Sequence, residues 1–136
     1  MPIEQEDRVA VAAIRSAVPE LVAVYRFGSS VTGERTPGID VDLAVLATTP
    51  LDPLRRFDLQ ERLASALGQS VDLVDLRVAS PVMAIQIIGN GRVLLDEDAA
   101  ARGRFEDLIY GVYARLNEER RGILQRVAAE GTVYGR

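Results

Sequence analysis

Residues 28 to 42 combine glycine, hydroxyl and carboxylate groups at a spacing suited to phosphate and metal chemistry. Gly28, Ser29 and Ser30 are followed by Asp40-Val41-Asp42, which leads into the apolar run Leu43-Ala44-Val45-Leu46. Alternate residues of a strand share a face, so Asp40 and Asp42 project side by side. Their charges repel, and burying either without a partner is costly. A hard divalent cation relieves that repulsion, and Mg²⁺ is usually held by one or two carboxylates together with substrate phosphates. The Gly28-Ser29 pair upstream supplies a tight turn whose backbone N–H groups and hydroxyl meet phosphate oxygens. A Gly-Ser dipeptide alone is a common turn, and an isolated Asp-x-Asp is usually a solvated strand edge. Their combination ahead of an apolar strand reads as a metal–nucleotide site.

The elements that must hold these groups alternate between helix and strand. An amphipathic helix is expected over 5–17, stopped by Pro19, and a strand over Leu21–Phe27, rich in β-formers and ending at Gly28. Residues 29–33 read as a single helical turn, Pro37-Gly38 as a turn, and 40–47 as the second strand. Asp52-Pro53 opens a helix that runs to Leu67, with Gly68 as its stop. Ser70–Leu76 is a third strand, Ser80-Pro81 caps a short helix over 82–88, and Arg92–Leu95 reads as a short fourth strand. From Asp98 to about Glu130 apolar residues recur at three/four spacing, a helix that Gly103, Gly111 and Gly122 would bend or split. The sum is a single α/β (α+β) domain spanning 1–136, a small mixed sheet flanked by helices. Its core covers about 5–95 and a long C-terminal helical region about 96–136.

If the third strand lies beside the second, Asp72 joins Asp40 and Asp42 on one face; Asp75, three residues on, faces the other way as a cap or in solvent. Three carboxylates beside a nucleotide suit phosphoryl or nucleotidyl transfer. Two hold metals that bridge the triphosphate, and the third helps to deprotonate the attacking hydroxyl. The chain has no cysteine and no histidine, so thiol nucleophiles, disulfides, Cys/His zinc sites and histidine bases are excluded, and carboxylates must carry any acid–base chemistry. A formal charge of −4 argues against a general nucleic-acid binder, which needs a basic surface. No apolar run approaches the ~20 residues of a membrane span, and the acidic start does not resemble a signal peptide; a cytoplasmic location is expected. Arg55-Arg56 and Arg120-Arg121 read as solvated helix faces, and Tyr110, Tyr113 and Tyr134 as packing or partner contacts.

Gly28-Ser29, ten intervening residues, then Asp40-Val41-Asp42 resembles the signature of the polymerase-β-like nucleotidyltransferase superfamily. The Val71-Asp72-Leu73-Val74-Asp75-Leu76 strand, the Gly91–Leu95 element and the Glu130–Gly135 tail are similar to a narrower group, the minimal nucleotidyltransferase (MNT) antitoxins of HEPN/MNT toxin–antitoxin pairs. The resemblance implies a polymerase-β-like fold and a Mg²⁺-dependent protein adenylyltransferase. Such an enzyme moves AMP from ATP to a tyrosine of its HEPN partner, an RNase toxin, with which it forms a hetero-oligomer. By motif, Gly28, Ser29 and Ser30 would hold the triphosphate, and Asp40, Asp42 and Asp72 would be the metal-binding and catalytic carboxylates. Many relatives carry arginines where this chain has Ser30 and Thr32, and a serine where it has Ile39; Arg26, Arg35 and Arg77 are the candidates to replace that positive charge. Two alternatives accompany this reading: an antitoxin that acts by occlusion alone, and a nucleotidyltransferase acting on a small-molecule hydroxyl. A small domain with an open sheet face cannot bury a protein acceptor, so the partner would supply the second wall of the site.

Overall fold

A computed structural model describes residues 1–28 and 40–130. The turn and helical turn expected within 29–39, together with Ser29, Ser30 and Arg35, lie outside the described residues, as does Tyr134. Among the described residues, four helices and four strands follow in the order α1 (Ile3–Ala17), β1 (Leu21–Phe27), β2 (Val41–Ala47), α2 (Pro53–Leu67), β3 (Val71–Asp75), α3 (Pro81–Asn90), β4 (Arg92–Asp96) and α4 (Ala99–Glu130). The sheet has the order β3-β2-β1-β4; β1 is antiparallel to both neighbours, and β2 runs parallel to β3. It is therefore mixed, the parallel pair being joined by the crossover helix α2.

The two central strands are nearly all apolar because both faces of the sheet are covered. On one face α1 and α2 bury Ala10, Ile14, Leu59 and Leu63 against Val24, Leu43, Val45 and Leu73. On the other, α3 and α4 bury Ala84, Ile87, Phe105 and Ile109 against Val22, Tyr25, Ala44 and Leu46. Each such side chain contributes roughly 1.5–3 kcal/mol when fully buried. The open sheet face expected from the sequence is thus confined to one end of the strands, where Asp72 and Asp40 are exposed.

Local signals account for the helix ends. The Asp52 carboxylate accepts from the Leu54 N–H at 2.8 Å, Pro53 begins α2, and Gly68 closes it in the left-handed conformation at φ 66°. The Ser80 hydroxyl accepts from the Met83 N–H at 3.1 Å ahead of α3. That helix continues through Gly89 and Asn90, two residues beyond the expected end, and stops at Gly91. A Cβ at Gly91 would lie 2.4 Å from the Ile87 carbonyl oxygen and 3.1 Å from that of Arg26, so glycine lets β4 enter close beside β1. α4 is one continuous helix of 32 residues. Of the bend or split expected at Gly103, Gly111 and Gly122, the split does not occur, because isolated glycines weaken a helix without removing a hydrogen bond, and proline is absent from its span.

Candidate active site

The strand register builds the site. Phe27, the last residue of β1, faces Asp42 across the antiparallel pair, and Asp42 stands beside Asp72 in the parallel pair. Paired residues in adjacent strands point to the same face, so the Asp42 and Asp72 carboxylates project together on the side covered further along by α3 and α4. Asp40 precedes β2 by one residue and shares Asp42's parity; it is exposed. Asp75 lies on the opposite face, as its spacing predicted. It is buried, accepting from the Leu51 N–H and the Arg77 N–H at 2.8 and 2.9 Å. It is a cap within the fold, not a solvent-facing group.

Immediately after Phe27 the backbone turns at Gly28 with φ 77°, and a Cβ built there would stand 2.3 Å from Asp42 Oδ2. Any side chain would collide with the carboxylate, and the positive φ disfavours one independently. Glycine therefore lets the turn lie directly against Asp42. Burial raises the Asp42 pKa above its ordinary value; the Asp72 and Asp40 charges raise it further, against an opposing pull from Arg26. This is the electrostatic condition of a cluster short of positive charge. Among the described residues no group of three or more acidic side chains is close enough to hold a metal ion by itself. The donor set fits Mg²⁺ in the mode that uses one or two carboxylates and leaves the other positions to phosphate oxygens and water.

The arginines tell a different story from the sequence reading. Arg26 is buried and clamped from α1, its guanidinium donating to Asp7 at 2.8 Å and to Glu6 at 3.1 Å. Arg92 binds the other Asp7 oxygen at 2.7 Å, and Gln69 donates to Glu6. Arg77 donates from Nε to the Ala47 carbonyl at 2.8 Å and lies 5.1 Å above the Phe105 ring. Both arginines are thus engaged inside the fold. Glu6 and Asp7 were not singled out in the sequence, although an arginine inside an apolar strand is itself a signal that acidic partners must be buried with it. Arg55 is also tethered, donating to the Ala17 carbonyl at 2.9 Å and pairing with Glu20 at 2.7 Å. Arg56 donates to the Leu73 carbonyl at 3.0 Å. The expected solvated face is therefore a brace between α2 and its neighbours. Tyr25 donates to Glu106 at 2.7 Å, and burial drives its pKa far up, so it anchors α4 and has no role as a base.

Residues 11–100, which hold the glycine turn and all three aspartates, match the family described as polymerase beta, nucleotidyltransferase. The chain belongs to this nucleotidyltransferase family. It is 37% identical over 121 residues to the protein adenylyltransferase MntA of Shewanella oneidensis, covering 85% of this chain and 83% of that protein. Its fold is similar to the MNT antitoxin in a solved complex described as the tri-AMPylated Shewanella oneidensis HEPN toxin with MNT antitoxin, with a TM-score of 0.76 and 34% identity over 92% of this chain and 98% of that one. A toxin–antitoxin structure with AMP-PNP matches with a TM-score of 0.78 and 35% identity, covering 90% of this chain and 98% of that one. In this nucleotidyltransferase the glycine turn and the paired carboxylates therefore occur within a chain similar to a protein adenylyltransferase over most of its length.

Proposed function

We propose that this nucleotidyltransferase is an antitoxin that transfers AMP from ATP to a tyrosine hydroxyl of a cognate HEPN RNase toxin, silencing it. The observation that carries this reading is the Asp42–Asp72 register beside Gly28, in a chain similar to a protein adenylyltransferase over most of its length. The chain acts as one domain in the cytoplasm; among the described residues no helix is long and apolar enough to cross a membrane.

Gly28 brings the backbone directly against Asp42, and Ser29 and Ser30, which follow it in sequence, join it in receiving the triphosphate. Asp40 and Asp42 would hold Mg²⁺, with Asp72 beside them, and the ion would neutralise their mutual repulsion and stabilise charge on the phosphates. Asp72, the more exposed member of the register pair, faces the incoming acceptor and takes up the tyrosine proton. The phenolic oxygen bonds to the α-phosphorus, the bond to the bridging oxygen breaks, and pyrophosphate leaves.

One observation favours a second reading, inhibition by occlusion. Arg26 and Arg77, two of the three arginines proposed to replace the missing motif cations, are committed to internal partners. Intact-mass measurement separates the readings. The purified toxin, incubated with this chain, Mg²⁺ and ATP, should gain whole AMP units that an Asp40→Ala/Asp42→Ala variant cannot add. An unchanged mass with inhibition by both versions supports occlusion.

A further inference from the structure

Beside the carboxylates lies a concave site that the chemistry above leaves unused. Phe27, Gly28, Met83, Gln86, Ile87 and Asn90 line a cavity of about 320 Å³ between the end of β1 and one face of α3. Gly28 belongs to both places, since it touches Asp42 and forms a wall of the cavity. A nucleotide whose α-phosphate stood at Asp42 would therefore have its base about one ribose away, at the cavity mouth.

The lining is amphipathic in the way a planar heterocycle requires. Phe27 and Ile87 give an apolar floor, and Met83, 40% exposed, adds a flexible, polarizable side chain to the same lining. Gln86 and Asn90 are four residues apart on α3 and so share its cavity-facing side. Both are exposed, and among the described residues neither side-chain amide has a hydrogen-bond partner. A carboxamide offers an acceptor and a donor side by side, the complement of the 6-amino group and the adjacent ring nitrogen of adenine.

Building on the adenylyl-transfer reading above, we propose that this cavity binds the adenine base of ATP, with Gln86 and Asn90 as specificity-determining residues that read its 6-amino edge and Phe27 and Met83 packing against its ring. Each well-made amide contact to adenine should discriminate by roughly 5- to 100-fold.

The test compares ATP with purine riboside triphosphate, which lacks only the 6-amino group, in toxin modification by the full-length chain. The wild type should prefer ATP in kcat/KM, chiefly through KM. Gln86→Leu, Asn90→Leu and the double variant should erase the preference while melting at the wild-type temperature, since both side chains are exposed. Asn90→Gln should retain part of it. An unchanged preference in the double variant overturns the assignment. So does a raised KM for the toxin with the nucleotide preference intact, which would give the cavity to the acceptor tyrosine. A wild type that modifies the toxin with neither nucleotide would instead overturn the adenylyl-transfer reading. Calorimetric binding of AMP-PNP then judges the cavity alone: weakening in the double variant upholds the base site and no change overturns it.

Discussion

Asp42 is where function and stability oppose each other most directly. Burial, Asp72 and Asp40 raise its folded pKa above the unfolded value of 3.8. The folded protein then binds that proton more tightly than the unfolded chain, so this group's effect on stability is most favourable at low pH. Stability declines as pH rises above 3.8 and through the folded pKa. Asp42→Asn should consequently melt above the wild type at pH 7 without divalent cation, with the gap narrowing toward pH 4. Transfer activity should fall by at least about 100-fold. Mg²⁺ with ATP should stabilise the wild type more than the variant. Scanning calorimetry at the two pH values checks this, and a variant that melts below the wild type at pH 7 would count against the crowding. Arg26 presents the converse case. Its removal leaves Glu6 and Asp7 buried with one fewer counter-charge, so Arg26→Met should cost about 3–5 kcal/mol in urea unfolding. Adding Glu6→Gln and Asp7→Asn to that variant should recover much of the loss.

At the level of elements, local chemistry was largely readable and long-range pairing was not. Asp52-Pro53 and Gly68 mark the ends of α2 because caps and left-handed closures depend on residues a few positions apart. The spacing of Asp42 and Asp72 within their strands was enough to place these two carboxylates on one face once β2 and β3 were taken as neighbours. The fates of Arg26 and Arg77 were not legible, since Arg26 and Asp7 are 19 residues apart and Arg77 and Ala47 are 30; the face of Asp75 was legible, but not its bond to Leu51, 24 residues away. Periodicity carries no information about such contacts. α4 shows where a propensity reading overstates its case. Gly111 and Gly122 have no atom within 4 Å of a built Cβ, so nothing in the fold requires glycine there. Gly111→Ala/Gly122→Ala should stabilise the free chain by about 0.5–1 kcal/mol per site, seen as greater helicity and a higher melting temperature. A loss of stability in the free chain would contradict the continuous helix.

Taken as a whole, the molecule has both sheet faces covered and its chemistry gathered at one end of the strands, where Asp40 and Asp72 are exposed and Asp42 is half-buried. The cavity beside Gly28 is assigned to the base, so the acceptor must approach from the open side, across Asp72, with its position set by the protein that carries it. Rate enhancement from positioning then resides in the complex, because a freely diffusing phenol gains none of the effective molarity that docking supplies. Free tyrosine, at concentrations matching the toxin, should therefore be adenylylated at least about a thousandfold more slowly than the toxin's own tyrosine, and denatured toxin should behave like the free amino acid. The Asp72→Asn variant separates docking from chemistry: it should slow transfer to folded toxin and leave the affinity of the complex nearly unchanged. Comparable rates for free tyrosine and folded toxin would mean that the chain itself encloses the acceptor, and the small-molecule alternative would then take precedence over the antitoxin reading.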